Sequence, residues 1–133
     1  MLGKRVRFLS SGVRKESFAL PFNGGTIWYE HLDALGSDQA AFRSKLSTDM
    51  TELAKPSAPS HIAVIVDETE ITAALSALLV QALTTQAHPK RVAFVGMSLW
   101  EKRRTRALLR KIEPPFPVSF HGDLEQAKHW LIP

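Results

Sequence analysis

Two short stretches, Asp67-Glu68-Thr69-Glu70 and Gly96-Met97-Ser98-Leu99, hold residue types that could meet a ligand or a partner. Each stands where an apolar, β-branched run gives way to a helical pattern. Such junctions gather carboxylates, hydroxyls and helix N-terminal N–H groups at one end of a sheet. That is where open parallel sheets bind their ligands. Gly96 lets a group approach the backbone closely, and Trp100 is placed to cover it. The binding candidates are Asp67, Glu68, Thr69, Gly96, Met97, Ser98, Trp100 and Arg103. The plainer reading is turn and cap chemistry: Thr69 is expected to cap the following helix, and Gly-x-Ser at a strand end is not a phosphate fingerprint.

Other chemistry is sparse. The chain has no Cys, which removes disulfides, thiolate nucleophiles and zinc–thiolate sites together. His31, His61, His88, His121 and His129 are scattered, and none forms a helical His-x-x-x-His pair. No residue is singled out as catalytic, no metal ligand set is recognised, and no cofactor is expected. From Trp100 to Lys111 the sequence WEKRRTRALLRK carries six cations. Lys102, Arg103, Arg106 and Arg110 fall within an arc of about 100° on a helix. Such a stripe suits phosphates or an acidic partner, and equally the solvated face of an amphipathic helix.

Bulk composition agrees with one soluble α/β domain over residues 1–133. At 133 residues, 44% hydrophobic and 23% charged, the chain can bury roughly two thirds of its unfolded surface. The net charge of +4 and pI of about 9.7 are mildly basic. MLGKRVRFLSSG lacks the apolar core of a signal peptide, and the run from Ile71 to Leu83 is too short and too interrupted to span a bilayer. The expected compartment is the cytoplasm.

The elements that must position the two junctions follow from periodicity. Residues 1–32 read as an antiparallel meander. Its strands are Arg5 to Ser10, Ser17 to Phe22 and Thr26 to Leu32, with Asn23-Gly24-Gly25 a tight turn and Pro21 marking an edge. Residues 37–133 alternate helix and strand. Phe42, Leu46, Met50 and Leu53 share a helical face behind an expected Ser37 N-cap. Ile62 to Val66 is a continuous apolar strand, as expected when both faces are covered. The central helix carries Ile71, Leu75, Leu78 and Ala82 on one side and Ala73, Ala77 and Val80 on the other. It is therefore expected to be buried or shared, within the chain or in a homodimer. Arg91 to Gly96, a helix from Leu99 to Ile112, Val118 to His121 and a helix from Leu124 to Leu131 complete the order. The fold class is α/β: a mixed sheet with antiparallel N-terminal strands, a parallel βαβ centre and helices packed on it.

The order and several of these segments resemble the STAS-like superfamily of anti-sigma-factor antagonists, cytoplasmic domains of sulfate transporters and small bacterial proteins. The resemblance rests on VIVDETEI, RVAFVGMSLWEK and VSFHGDLEQAKHWL. The last resembles the family's closing "eeA..WL" helix through Phe120, Asp123, Glu125, Ala127, Trp130 and Leu131. It spans about Thr26 to Ile132. It implies a non-enzymatic regulatory domain, with Asp67 at the family's strand-end Asp and Thr69 nearest the phosphorylatable Ser. The usual Ser-Ser-Gly is missing, and Glu68 and Glu70 flank Thr69, so a phosphate there would face two carboxylates. The leading expectation is a bacterial regulatory domain binding a partner protein, or a small apolar or anionic ligand, at the Asp67/Ser98 edge. One rival is an enzyme acting on a small anionic substrate with Arg103 or Arg104 as clamp. Another is a weak nucleic-acid binder through helix 100–111, which the modest charge does not favour.

Overall fold

The computed structural model describes residues 15–133; the expected strand at residues 5–10 lies outside them. Asn23 and Gly24 both take positive φ, 50° and 86°. This is the two-residue turn that matches the twist of a hairpin. It joins β1 (Phe18–Phe22) to β2 (Gly25–His31), antiparallel, with Phe22 opposite Gly25. Pro21, which has no N–H to give, lies in β1, at the edge of the sheet among the described residues. The remaining elements are α1 (Gln39–Leu53), β3 (His61–Ile65), α2 (Ala73–Thr85), β4 (Arg91–Val95), α3 (Leu99–Ile112), β5 (Val118–His121) and α4 (Leu124–Leu131).

The sheet runs β1-β2-β3-β4-β5, so each strand lies beside its predecessor in sequence. From β2 onward all pairings are parallel. Trp28, Ile62, Val64, Val92 and Phe94 point to one face, where they pack with Phe42, Leu46 and Met50 of α1 and Leu75, Leu79 and Leu83 of α2. Ile27, Tyr29, Ala63, Ile65, Ala93 and Val95 point to the other, under Ala127 and Leu131 of α4. Ala63 and Ala93 are register neighbours, and their small side chains give α4 room to lie close. Both faces of β3 and β4 are thus covered, which is why their apolar runs do not alternate.

Two local expectations are corrected. The N-cap of α1 is Asp38, not Ser37: its side chain accepts the N–H of Ala41 at 2.9 Å. In α2 the buried positions are Leu75, Ser76, Leu79, Val80, Ala82 and Leu83, while Ala73 and Ala77 are exposed and Leu78 is half-buried. The helix is rotated so that Ser76 meets Thr105 of α3, hydroxyl to hydroxyl at 2.8 Å, both fully buried. Val80 turns inward, and only the alanines of the supposed second stripe face out. Burying Ala yields little apolar area, so Ala positions do not orient a helix.

Candidate functional site

Parallel strands end together, so the loops after β2, β3 and β4 open on one edge of the sheet. Two of them are knitted further. Ala34 N–H donates to Asp67 O at 2.8 Å, Gly36 N–H to Glu68 O at 2.9 Å, and Glu70 N–H to Gly36 O at 2.8 Å. Thr69 is buried between them. Its hydroxyl donates to Leu32 O at 2.6 Å and accepts the N–H of Leu35 at 3.0 Å. Thr69 is therefore a staple between two loops and not the N-cap of α2; that role falls to Thr72, which accepts the N–H of Leu75 at 3.2 Å. Thr69→Val keeps the shape and removes both bonds, leaving a buried donor and acceptor unpaired. We expect a loss of about 2 kcal/mol in chemical denaturation; a change under about 0.5 kcal/mol would show the staple to be idle.

Asp67 lies directly over Gly96. An ideal Cβ on Gly96 would fall inside that carboxylate, 2.6 Å from Oδ2, and Gly96 has φ of 92°. Glu68 and Ala34 also take left-handed backbone, at 57° and 59°. Both lie in the paired loops, where the backbone hydrogen bonds between residues 34–36 and 67–70 accompany this conformation.

A crevice of about 350 Å³ opens here, between the ends of β2, β3 and β4 and the start of α4. Ile65, Val95 and Leu124 supply its apolar walls, and Lys15, His31, Asp33, Asp67, Glu68 and Asp123 its polar ones. Asp33 is buried and ligated from two sides, by Lys15 Nζ at 2.8 Å and His31 Nδ1 at 2.9 Å. Burial works to raise the Asp33 carboxyl. The hydrogen bonds from Lys15, His31 and its own backbone outweigh this and hold it below its ordinary value. The Lys15 ammonium is raised in turn, chiefly by its hydrogen bond to Asp33.

The eight candidate residues divide over this edge. Asp67 and Glu68 line the crevice and Gly96 underlies Asp67. Met97 is buried in the helix-side core. Ser98 caps α3, accepting Glu101 N–H at 3.2 Å while Glu101 Oε1 accepts Ser98 N–H at 2.9 Å, a full capping box. The other oxygen of Glu101 accepts Ile71 N–H at 2.8 Å, and Arg104 donates to Ile71 O at 2.6 Å. Trp100 does not cover Gly96. It stands 69% exposed on the outer side of α3, beside Leu99 at 56%, with the Arg103 guanidinium 5.2 Å from its ring centre.

Sequence reasoning missed the most perturbed group. Glu30 is fully buried on the helix side of β2. Trp28 Nε1 donates to its Oε1 at 2.8 Å, and Oε2 has no partner at hydrogen-bond geometry. Burial, then the neighbouring Asp49 carboxylate, push Glu30 up from 4.5 to about 9 against the pull of Trp28 and Lys45. Asp49 itself accepts from Lys45 Nζ at 2.9 Å and Ser17 Oγ at 2.8 Å. Ser17 Oγ also accepts the backbone N–H of His31 at 2.9 Å, which joins this buried network to the crevice. The available signal was the period of two that places Glu30 in one row with Trp28 and Leu32.

Among the described residues no cluster of three or more His, Cys, Asp or Glu side chains is arranged to hold a metal ion, and no helix is long and apolar enough to cross a membrane. No protein-family model, curated protein or solved structure matches the chain.

Proposed function

We propose that this chain is a non-enzymatic regulatory domain of the STAS-like type that docks a partner protein at the carboxyl edge of its sheet. The supporting plan is the mixed five-stranded sheet, antiparallel at β1 and parallel beyond, with α1, α2 and α3 on one face. The observation that carries the reading is Trp100, a large aromatic left mostly in solvent beside Leu99 at the first turn of α3. Exposed Trp is the residue type most enriched among binding hot spots. Further along α3 a shallow groove of about 240 Å³ is formed by Arg104, Ala107, Leu108 and Lys111 with Ala73 of α2. Small residues floor the surface and cations rim it, so its partner is an apolar helix flanked by carboxylates. Pressure on this surface reaches the start of α2 through the Glu101 and Arg104 bonds to Ile71. The acidic crevice behind Asp67 would then be the place where a small ligand biases the same loops.

Native mass spectrometry of the protein purified from its own host tests this, with Trp100→Ala alongside. Removing an exposed ring should change folding stability by less than about 0.5 kcal/mol. The wild type should carry a partner-protein mass that the variant loses. A partner retained equally by both, or a bare chain from the wild type, would sink the reading.

A further inference from the structure

On the flank where β5 ends the sheet, a strand edge and a groove lie side by side. Val92 N–H donates to Pro117 O and Gly96 N–H to His121 O, so the odd-numbered positions of β5 turn their peptide groups towards β4. By alternation the N–H and C=O groups of Val118 and Phe120 point outward. Among the described residues no strand lies beyond them. Between this edge and α3 runs a groove of about 490 Å³, lined by Leu109, Phe116, Val118 and Phe120 with Arg106 and Arg110 above. Phe120 is stacked on Phe94 at 5.3 Å, and the Arg106 guanidinium lies 4.8 Å from its ring centre.

We propose that this groove binds an extended acidic segment of another protein by strand addition to β5. Backbone pairing with Val118 and Phe120 would hold the segment. One apolar side chain would enter between Leu109, Phe116 and Phe120, and carboxylates two residues to either side would meet Arg106 and Arg110. A strand brings residues two apart to the same face, which this spacing requires. Charge selects the occupant. A second copy paired through its own β5 would bring Arg106 and Arg110 of both copies together around the two-fold axis. The chain's own segment RVRFLS (5–10) carries Arg5 and Arg7 and no acid. The buried network and the Trp100 surface take no part, so this inference stands apart from the reading above.

The probe is the capped peptide Thr-Glu-Thr-Phe-Thr-Glu-Thr, titrated into the ¹⁵N-labelled full chain. Sub-millimolar binding is expected, with amide shifts centred on Val118, Ser119 and Phe120 and on the second half of α3. Arg106→Glu with Arg110→Glu, both exposed positions, should weaken it about tenfold or more. N-methylating the peptide at Phe and at both Thr that flank it removes the strand donors whichever way the segment runs, and should abolish binding. Failure to bind at millimolar peptide, equal binding of the methylated peptide, or equal binding of a Lys-for-Glu peptide would each overturn the proposal. So would sedimentation showing a wild-type dimer that the arginine variants dissociate, which would assign the edge to a second copy.

Discussion

Glu30→Gln is expected to abolish most of the loss of stability that the wild-type chain suffers as the pH rises from about 5 to 8. In the fold the carboxyl is pushed from its ordinary 4.5 up to about 9 by burial and by Asp49. Above pH 4.5 the unfolded chain therefore sheds this proton while the folded chain keeps it. The unfolded state gains, and stability falls steadily until the folded carboxyl itself ionises near pH 9. At about 1.4 kcal/mol per pH unit, the penalty by pH 7 is about 3 kcal/mol. Asp33 and Asp49 act in the opposite sense. Burial raises both, but hydrogen bonds outweigh it and hold each carboxyl below 3.8, so their stabilisation is present above that pH and disappears in acid. The His61 and His121 imidazoles, held below 6.5 chiefly by burial, also withdraw stability in acid, so the Glu30 contribution is read as the difference between wild type and variant at each pH. Gln at position 30 still accepts from Trp28 Nε1, and its amide N–H₂ can donate where the retained proton now sits. Denaturant titrations at several pH values decide the matter. A variant with the wild-type slope above pH 5 would show that Glu30 is not the group that titrates.

Gly96→Ala should cost about 1–3 kcal/mol, mostly as backbone strain because the exposed Asp67 carboxylate can swing aside, with a fall in Tm of roughly 5 °C. Two costs combine. A φ of 92° is strained for any L side chain, and the new methyl would occupy the space of the Asp67 carboxylate. A double-mutant cycle separates them. Asp67→Ser alone should matter little, because Asp67 is exposed. Combined with Gly96→Ala it should restore the clash part and leave about 1–2 kcal/mol of backbone strain. If Gly96→Ala costs under about 0.5 kcal/mol, the close approach of Asp67 to Gly96 is not a feature of the native state.

From β1 onward the element order was readable because each signal was local and unopposed. The unbroken apolar runs Ile62 to Val66 and Val92 to Val95 pointed to strands covered twice, Pro21 to an edge or a strand end, and Asn23-Gly24 to a turn. The carboxyl-edge site was readable only to the extent that neighbouring parallel strands end together. Periodicity does not say on which face of the sheet α4 packs, and so it did not separate the Asp67 crevice from the Trp100 surface. Thr69 was misassigned because a hydroxyl near a helix start is usually a cap. The β3–α2 loop instead runs on to Thr72, and Thr69 reaches across to Leu32, 37 positions away. Glu30 went unnoticed for a related reason. Composition treats a carboxylate in a strand as solvent-facing, and only its register against Trp28 and Leu32 reveals it as part of the core.

The sequential strand order has a consequence in time. Because β2 to β5 each pair with the strand just before, most of the sheet can assemble by adding one βα unit after another, with short loops to close at every step. The contacts that break this rule join the N-terminal hairpin to the end of the chain: Asn23 Nδ2 with Ile132 O and Pro133 O, spanning 109 and 110 positions, Phe22 with His129 and Lys128, and Ile132 beside Gly25. They carry the largest ordering entropy and so form last and open first. Native-state hydrogen exchange should therefore find α4 lifting from Ala63 and Ala93 well before the three-helix side of the sheet loosens.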